Sequence, residues 1–197
     1  MEYLIKQYSL ESGALEIQYI EEYFGEFPLK KTAAEIIERL QNREFLILMA
    51  ESNLTTDTTE TVVPVSYKVV HELHAKEKDP KLIDLVERVQ DIVSFDGRRI
   101  LYNWLGGTRT DWRGQGHFRA LTEESEEWAH TIGFHEVLVK TKNRSYDMRG
   151  TLDQLEFNVI KYERHPVNNR NSKVYLSKHL TVDVLRSHTS RRNVTQA

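Results

Sequence analysis

The segment from residue 98 to residue 143 constrains the fold most, because its pattern predicts a strand, a glycine-containing loop, a helix and a second strand. The runs "RRILYNWLGG" (98–107) and "HEVLVKTKN" (135–143) are typical of strands. Between them, "HFRALTEESEEWAHTI" (117–132) has helical spacing of its apolar residues, and Gly133 follows as a C-cap. Two strands joined through a helix in this way run parallel, with a right-handed crossover. Hairpins elsewhere need antiparallel pairs, so the sheet is predicted to be mixed.

The remaining apolar patterns predict further strands and helices around this unit. The strands are expected at 2–9, 43–52, 61–72, 157–164 and 172–180, and the helices within 10–27 and at 31–42, 79–95 and 146–155. Pro64 indicates an edge strand or a bulge. A solvated face is expected for the glutamates of the central helix, Glu123, Glu124, Glu126 and Glu127. This order predicts one α/β domain over residues 1–180 and a poorly ordered tail at 181–197.

Composition narrows the class of protein. The 197 residues are 39% hydrophobic and 29% charged with a net charge of -3, which is typical of a globular chain without affinity for nucleic acid. No apolar run approaches the length of a membrane span, and no secretory signal is evident, so a cytoplasmic location fits. The absence of cysteine excludes disulfides, thiolate nucleophiles and cysteine zinc sites.

The loop "RGQGHF" (113–118) has the features of an anion-binding loop. It leaves a predicted strand and enters a predicted helix, whose first N–H groups lack internal partners and carry the positive end of the helix dipole. Glycines allow a ligand to approach the backbone, and Arg113 and Arg119 add charge suited to phosphate. A Walker loop is excluded because no lysine follows either glycine. A dinucleotide fingerprint is excluded because Arg119 stands where its third glycine is required.

The sequence resembles the GNAT superfamily of acyl-CoA-dependent N-acyltransferases. "TRTDWRGQGHFRAL" (108–121) is similar to that family's phosphate loop, "VLVKTKN" (137–143) to its fifth strand and the asparagine that follows, and "LEFNVIKYE" (155–163) to its next strand. The order of elements agrees from about Tyr3 to Leu180. The resemblance implies an α/β (α+β) fold with one mixed, mostly antiparallel seven-stranded sheet, a splayed parallel pair at strands 4 and 5, and helices on both faces.

The resemblance also implies acetyl-CoA as co-substrate, with the pantetheine arm in the gap between strands 4 and 5. By position, Gly106 and Thr108 lie beside the arm, and Asn143 bonds it from the opposite side. The diphosphate is held by the N–H groups of the loop residues Arg113, Gly114, Gln115, Gly116, His117, Phe118 and Arg119. Gly106 and Gly107 are consistent with a bulge that turns an N–H group towards the thioester oxygen, and equally with a turn that ends the strand.

The implied reaction is direct attack by a primary amine on the thioester carbonyl, because no cysteine is available for a covalent intermediate. The amine must lose a proton, so a general base is expected. The candidate bases are Glu72 and His71, near the end of the third strand. Tyr146, which closely follows Asn143, is the candidate acid for the departing thiolate.

Two positions depart from the family's pattern. Phe118 stands where the loop usually has glycine or alanine, and the close packing of helix on strand at that point is therefore in question. The usual acid is a tyrosine five residues before the phenylalanine of a Gly-Phe pair. Here that position is Leu152, and Glu156 replaces the glycine before Phe157.

Three functions remain open from the sequence. The first is an N-acetyltransferase that acts on a small-molecule or peptide amine. For this function neither nucleic acid nor a membrane is expected as a partner, and a homodimer is reasonable for such a fold. The second is a non-catalytic CoA-binding or interaction module of the same fold. The third is an α/β domain whose glycines only form a tight turn. No metal site is expected, because His71 and His74 point to opposite faces of an extended segment.

Overall fold

A computed structural model of the protein describes residues 3–10, 20, 31–55 and 60–195. The helix predicted within 10–27 falls almost entirely outside these residues, as do residues 56–59 between the second and third predicted strands. Among the described residues, no helix is both long and apolar enough to cross a membrane.

The described elements follow the predicted order, with boundaries that differ by a few residues. The strands are β1 (Tyr3–Tyr8), β2 (Phe45–Thr55), β3 (Glu60–Leu73), β4 (Ile100–Thr108), β5 (Glu136–Lys142), β6 (Asn158–Glu163) and β7 (Lys173–His179). The helices are α1 (Ala33–Leu40), α2 (Pro80–Val89), α3 (His117–Thr131), α4 (Tyr146–Gln154) and α5 (Val182–Thr195). Short 3-10 turns occupy Thr110–Trp112 and Asn169–Asn171.

The strands form one seven-stranded sheet in the order β1-β2-β3-β4-β5-β7-β6. The β4–β5 pair is parallel, whereas β1–β2, β2–β3, β5–β7 and β6–β7 are antiparallel. The predicted mixed sheet with a parallel pair at strands 4 and 5 is therefore confirmed. The parallel register runs from Ile100 opposite Glu136 to Asn103 opposite Val139, although β4 continues to Thr108 and β5 to Lys142.

Local chemistry explains several element boundaries. Asp79 caps α2 by accepting a hydrogen bond from the backbone N–H of Lys81, and Pro80 occupies the first turn. Thr32 and Glu35 form a capping box at α1. Hydrogen bonds from Lys31 and from the Thr32 backbone lower the pKa of Glu35 to about 2. A register shift follows Ala50 in the β2–β3 ladder, where Glu51 lies opposite Pro64, so the bulge alternative for that proline is the observed one.

The chain divides into two compact units. The first consists of Met1–His71 and Trp104–Ser125, and the second of Glu72–Asn103 and Glu126–Ala197. The first unit contains an apolar core under α1, formed by Ile20, Ile36, Leu40, Ile47, Met49, Tyr67 and Val69. In the second unit α2 buries one apolar face, which consists of Leu82, Leu85, Val86 and Val89; Val93, which the sequence analysis includes in the same helix, is buried beyond its end.

The tail predicted at 181–197 contains a helix, and one prediction for α3 needs correction. Residues 182–195 form α5, and His188 on this helix is fully buried. Glu123 and Glu126, predicted on a solvated face, are also buried, whereas Glu124 is exposed. In the case of Glu126 the reason lies far along the sequence: its Oε2 is 2.7 Å from Lys178 Nζ on β7 and 3.0 Å from His188 Nε2 on α5.

Candidate functional site

The glycine loop of the first unit is an exposed arch between two buried aromatic side chains. Trp112 and His117 are buried, whereas Arg113 through Gly116 are exposed. The His117 ring packs edge-on against Trp112 with centroids 6.0 Å apart, and its Nδ1 lies 3.3 Å from the Trp112 carbonyl oxygen. Both ends of the arch are therefore fixed, and its backbone faces solvent.

The backbone conformation at two positions of the arch requires glycine. Gly114 has φ +76° and Gly116 has φ +85°, in the left-handed region that other residues rarely adopt. A Cβ at either position would meet no other atom within 4 Å. The space above the glycines is therefore open to a ligand.

The arch leads directly into α3 and presents helix N-terminal donors. The first N–H group to join the helix hydrogen-bond pattern is that of Ala120, which donates to the Gly116 carbonyl at 3.0 Å. In the part of the chain that the structure describes, none of the N–H groups from Gly114 to Phe118 donates to a backbone carbonyl. Such groups, together with the positive end of the helix dipole, form a site suited to an anion.

The chain accommodates Phe118, a large residue where the resembling family has glycine or alanine, through a glycine on the neighbouring strand. A Cβ at Gly106 on β4 would lie only 2.8 Å from Cε2 of Phe118 and 3.2 Å from the Tyr67 carbonyl oxygen. The small residue therefore stands on the strand and the large one on the helix, so close packing is retained with the sizes exchanged. Gly106 is also inside β4, which removes the alternative that it ends the strand.

The end of β4 is held by side chains of β3 and of the loop. Ser66 Oγ donates to the Gly107 carbonyl at 3.0 Å and lies 2.8 Å from Thr108 Oγ1. Arg113 Nε donates to the Thr108 carbonyl at 3.2 Å. Both predicted ligand residues of β4 thus have defined positions, and the Thr108 hydroxyl already has a protein partner.

The His117 side chain is a structural element of the loop. Its ring lies against Tyr3 with centroids 4.5 Å apart, and burial lowers the pKa of this imidazole. The ring is therefore neutral at pH 7 and adds no charge for an anion. Any contribution of His117 to the predicted diphosphate site comes from its backbone N–H.

Asn143, in the second unit, follows β5 directly and is engaged on both sides of its amide. Its Nδ2 donates to the Asn169 carbonyl at 3.2 Å, and its Oδ1 accepts from Arg149 Nη1. Its backbone N–H donates to Ser172 at 2.8 Å. The role predicted for Asn143 as a pantetheine ligand stays a prediction, and its side chain would have to exchange one of these partners to fulfil it.

Tyr146 begins α4 and is 60% exposed. It lines a cavity of about 330 Å³ whose other walls are Arg149, Gly150, Asp153, Phe157, Val159 and Leu176. Its side chain is thus accessible beside a cavity lined by both charged and apolar residues. Glu72 does not line this cavity, so the structure does not place the two predicted catalytic residues around a common space.

Glu72 and His71 are both held by arginines. Each carboxylate oxygen of Glu72 accepts a 3.0 Å hydrogen bond from Arg99, which also donates to the Ile132 carbonyl at 2.7 Å. His71 is fully buried, with Nδ1 3.4 Å from Arg43 Nη1 and its ring edge-on to Trp104. The bidentate pair with Arg99 favours an anchoring role for Glu72, because a base would have to leave it.

Two further observations complete the site. Leu152 is fully buried, so it belongs to the core. Lys68 on β3 is 1% exposed and contacts α3, a feature that the sequence analysis missed. The signal for it was a lysine between Tyr67 and Val69 in the predicted strand "TVVPVSYKVVHE" (61–72). Among the described residues, no three acidic or histidine side chains converge as a metal site would require.

Comparison with known proteins finds matches to the structure of the chain but none to its sequence. No protein-family model and no curated protein sequence matches the chain. Its structure is similar to that of Arabidopsis thaliana NAA60 in complex with acetyl-CoA, with a TM-score of 0.66 and 12% identity over 91% of this chain and 99% of that one.

Two further solved structures agree with this result. The ribosomal-protein-S18-alanine N-acetyltransferase from Escherichia coli has a TM-score of 0.59 and 12% identity, over 92% of this chain and 96% of that one. Ard1 from Thermoplasma volcanium has a TM-score of 0.60 and 10% identity, over 92% and 99%. The similarity extends over nearly the whole chain, and the protein therefore has the fold of the GNAT acetyltransferases.

Proposed function

We propose that the protein is a cytoplasmic N-acetyltransferase that moves the acetyl group of acetyl-CoA directly to a primary amine. The observation that carries this proposal is the exposed arch from Arg113 to Gly116, with two left-handed glycines and open space above them at the start of α3. A coenzyme A diphosphate is an anion of the right kind for this arch. The acetyl-CoA complex of NAA60, which has the same fold, supports that choice of ligand.

The proposed cofactor contacts follow the resemblance residue by residue. The diphosphate lies on the backbone N–H groups from Gly114 to Arg119, with Arg113 contributing its charge. Gly106 and Thr108 on β4 accompany the pantetheine arm, and Asn143 is its proposed ligand from β5. The observed fixation of Thr108 by Ser66 and Arg113 supports a rigid β4 edge, which lowers the entropic cost of holding an extended arm.

The proposed chemistry is a single transfer. The neutral amine attacks the thioester carbonyl, a C–N bond forms, the C–S bond breaks, and coenzyme A leaves as a thiolate that takes up a proton. The chain contains no cysteine, so no acyl-cysteine intermediate is available. Tyr146 is the proposed proton donor to the thiolate, since its phenol is exposed beside a cavity. The proton of the attacking amine passes to a base, for which Glu72 and His71 are the candidates.

Replacing Glu72 by glutamine tests whether it is a base or an anchor. Because Arg99 binds both carboxylate oxygens, we expect Glu72→Gln to lower the free energy of unfolding by about 1 kcal/mol and to leave turnover nearly unchanged. Urea unfolding and the rate of thiol release measure the two effects separately. A fall in turnover of about 100-fold with unchanged stability would instead identify Glu72 as the base.

The acceptor we propose to test first is a peptide amine. The ribosomal-protein-S18-alanine N-acetyltransferase is named for a protein acceptor, and the NatC complex of the same fold was determined with a Gag peptide and CoA. Small-molecule amines form the second class of acceptor to test.

A non-catalytic CoA-binding module is the second candidate function. It is favoured by Leu152, which is buried where the resembling family has its acid, and by the bidentate engagement of Glu72. In this function the loop still binds coenzyme A, but no acetyl group is transferred.

Two measurements on the full chain distinguish these functions. Calorimetry with acetyl-CoA tests binding, and thiol release from acetyl-CoA in the presence of peptide and small-molecule amines tests transfer. Saturable binding with amine-dependent release supports the acetyltransferase. Binding without release for any amine supports the module, and absence of binding by every coenzyme A species contradicts both.

A further inference from the structure

A buried lysine lies beneath the first turn of α3. Lys68 on β3 is 1% exposed, and its Nζ lies 4.6 Å from the centroid of the Phe118 ring. The same Nζ donates to Thr122 Oγ1 at 3.0 Å. One ammonium group therefore contacts two residues of the helix that follows the glycine arch.

Phe118 is held at its ring and at its carbonyl. The Lys68 ammonium lies 4.6 Å from the ring centroid, and a Cβ at Gly106 would come within 2.8 Å of the Cε2 atom of the ring. The carbonyl oxygen accepts a 2.8 Å hydrogen bond from Thr122 Oγ1, which in turn accepts from Lys68. With both ends of the residue fixed, the direction of the Phe118 N–H at the mouth of the helix is fixed as well.

We infer that Lys68 is a positioning residue that aligns the N–H groups of the glycine arch for a diphosphate, acting through Phe118 and Thr122. This inference rests on the proposed function, since the diphosphate is that of the proposed co-substrate. It gives a role to the buried lysine of β3 and to the phenylalanine that stands in a glycine-containing loop. The large ring is the means by which a residue on β3 controls the loop.

Two variants test this positioning role without removing an atom from the arch. Lys68→Met keeps most of the apolar length of the side chain and removes the ammonium group. Thr122→Val keeps the shape of the threonine and removes its hydroxyl. Each variant is measured for its dissociation constant with acetyl-CoA by calorimetry, and for its unliganded melting temperature.

We expect each variant to weaken acetyl-CoA binding by roughly tenfold, since contacting residues of one network couple on this scale. A purely structural role would lower the unliganded melting temperature and leave the dissociation constant of the folded protein unchanged. Dissociation constants within twofold of the parent for both variants would therefore overturn the inference.

The contact between Gly106 and Phe118 provides an independent measurement. Gly106→Ala alone places a Cβ against the Phe118 ring, and we expect weaker binding of acetyl-CoA. Phe118→Ala alone should also weaken binding, because it removes the ring that Lys68 contacts, and in the double variant the two losses should not add, because both act through the same ring. Additive losses would show that the ring does not transmit the position of β4 to the loop, and would overturn the inference.

Acetyl-CoA binding by the parent protein distinguishes a failure of this inference from a failure of the proposed function. If the parent binds acetyl-CoA and the variants bind equally well, only the positioning role fails. If the parent binds no coenzyme A species, the proposed function fails, and the positioning role fails with it.

Discussion

Gly116→Glu is expected to abolish the stabilisation of the protein by acetyl-CoA while the fold remains intact. At a ligand concentration 100 times the dissociation constant, binding to the parent stabilises the folded state by about 2.7 kcal/mol, and this whole increment should disappear. The reason is electrostatic and steric together. The new carboxylate enters the open space above the arch, where the diphosphate would lie, and repels it. Thermal melting with and without acetyl-CoA measures the effect.

Two alanine variants separate this effect from backbone strain. Gly116 has φ +85° and Gly133, which ends α3, has φ +89°, and a Cβ at either meets open space. Alanine at each position should therefore cost a similar strain of about 1 kcal/mol. Gly133→Ala should keep the full acetyl-CoA increment, and Gly116→Ala should keep part of it. An increment in Gly116→Glu equal to that of the parent would show that the ligand binds elsewhere.

Local patterns in the sequence were sufficient to predict the framework of the fold. The strand, loop, helix and strand around Gly114 and Gly116 require a parallel pair, and the β4–β5 ladder is parallel. Asp79 and Pro80 mark the start of α2 within one residue. Gly133 follows α3 and has the positive φ expected of a C-cap glycine. In each case the information lies within a few residues of the feature, because caps, turns and strand patterns are local interactions.

Features that depend on distant partners could not be predicted in the same way. Glu126 looks like a solvated glutamate when only its own helix is considered, and its partners Lys178 and His188 come from later elements. The burial of His188 on α5 has the same origin, since its partner Glu126 lies on an earlier helix. A short-range pattern does not contain these contacts.

The residues of the candidate site show the same difference between local patterns and contacts with distant residues. The loop was identified from its own residues, and the left-handed glycines agree with the physical argument for them. The predicted catalytic side chains were chosen by position in the chain, and Glu72 is paired with Arg99 from 27 residues away. The size exchange between Gly106 and Phe118 was also invisible, because it is a contact between a strand and a helix. Backbone chemistry is local, whereas side-chain availability is decided by the tertiary structure.

The largest loss of stability is expected from Glu126→Ala. Glu126, Lys178 and His188 are all at most 3% exposed, and the single Oε2 atom of Glu126 is within 3.0 Å of a nitrogen atom of each partner. Removing the carboxylate leaves the Lys178 ammonium buried without this counter-charge, which costs about 3–5 kcal/mol in comparable sites. This is a large share of the roughly 5–15 kcal/mol that stabilises a typical domain. Urea unfolding measures the change.

Glu124 offers a matched control on the same helix, since it is exposed. Glu124→Ala should change the free energy of unfolding by no more than about 0.5 kcal/mol. If the penalty of Glu126→Ala comes from the uncompensated ammonium, replacing both charges should recover most of it, because apolar pairs of similar volume often match buried ion pairs. The double variant Glu126→Leu with Lys178→Met should therefore be more stable than Glu126→Ala. Equal, small effects of Glu126→Ala and Glu124→Ala would mean that the ion pair does not hold α3 against β7.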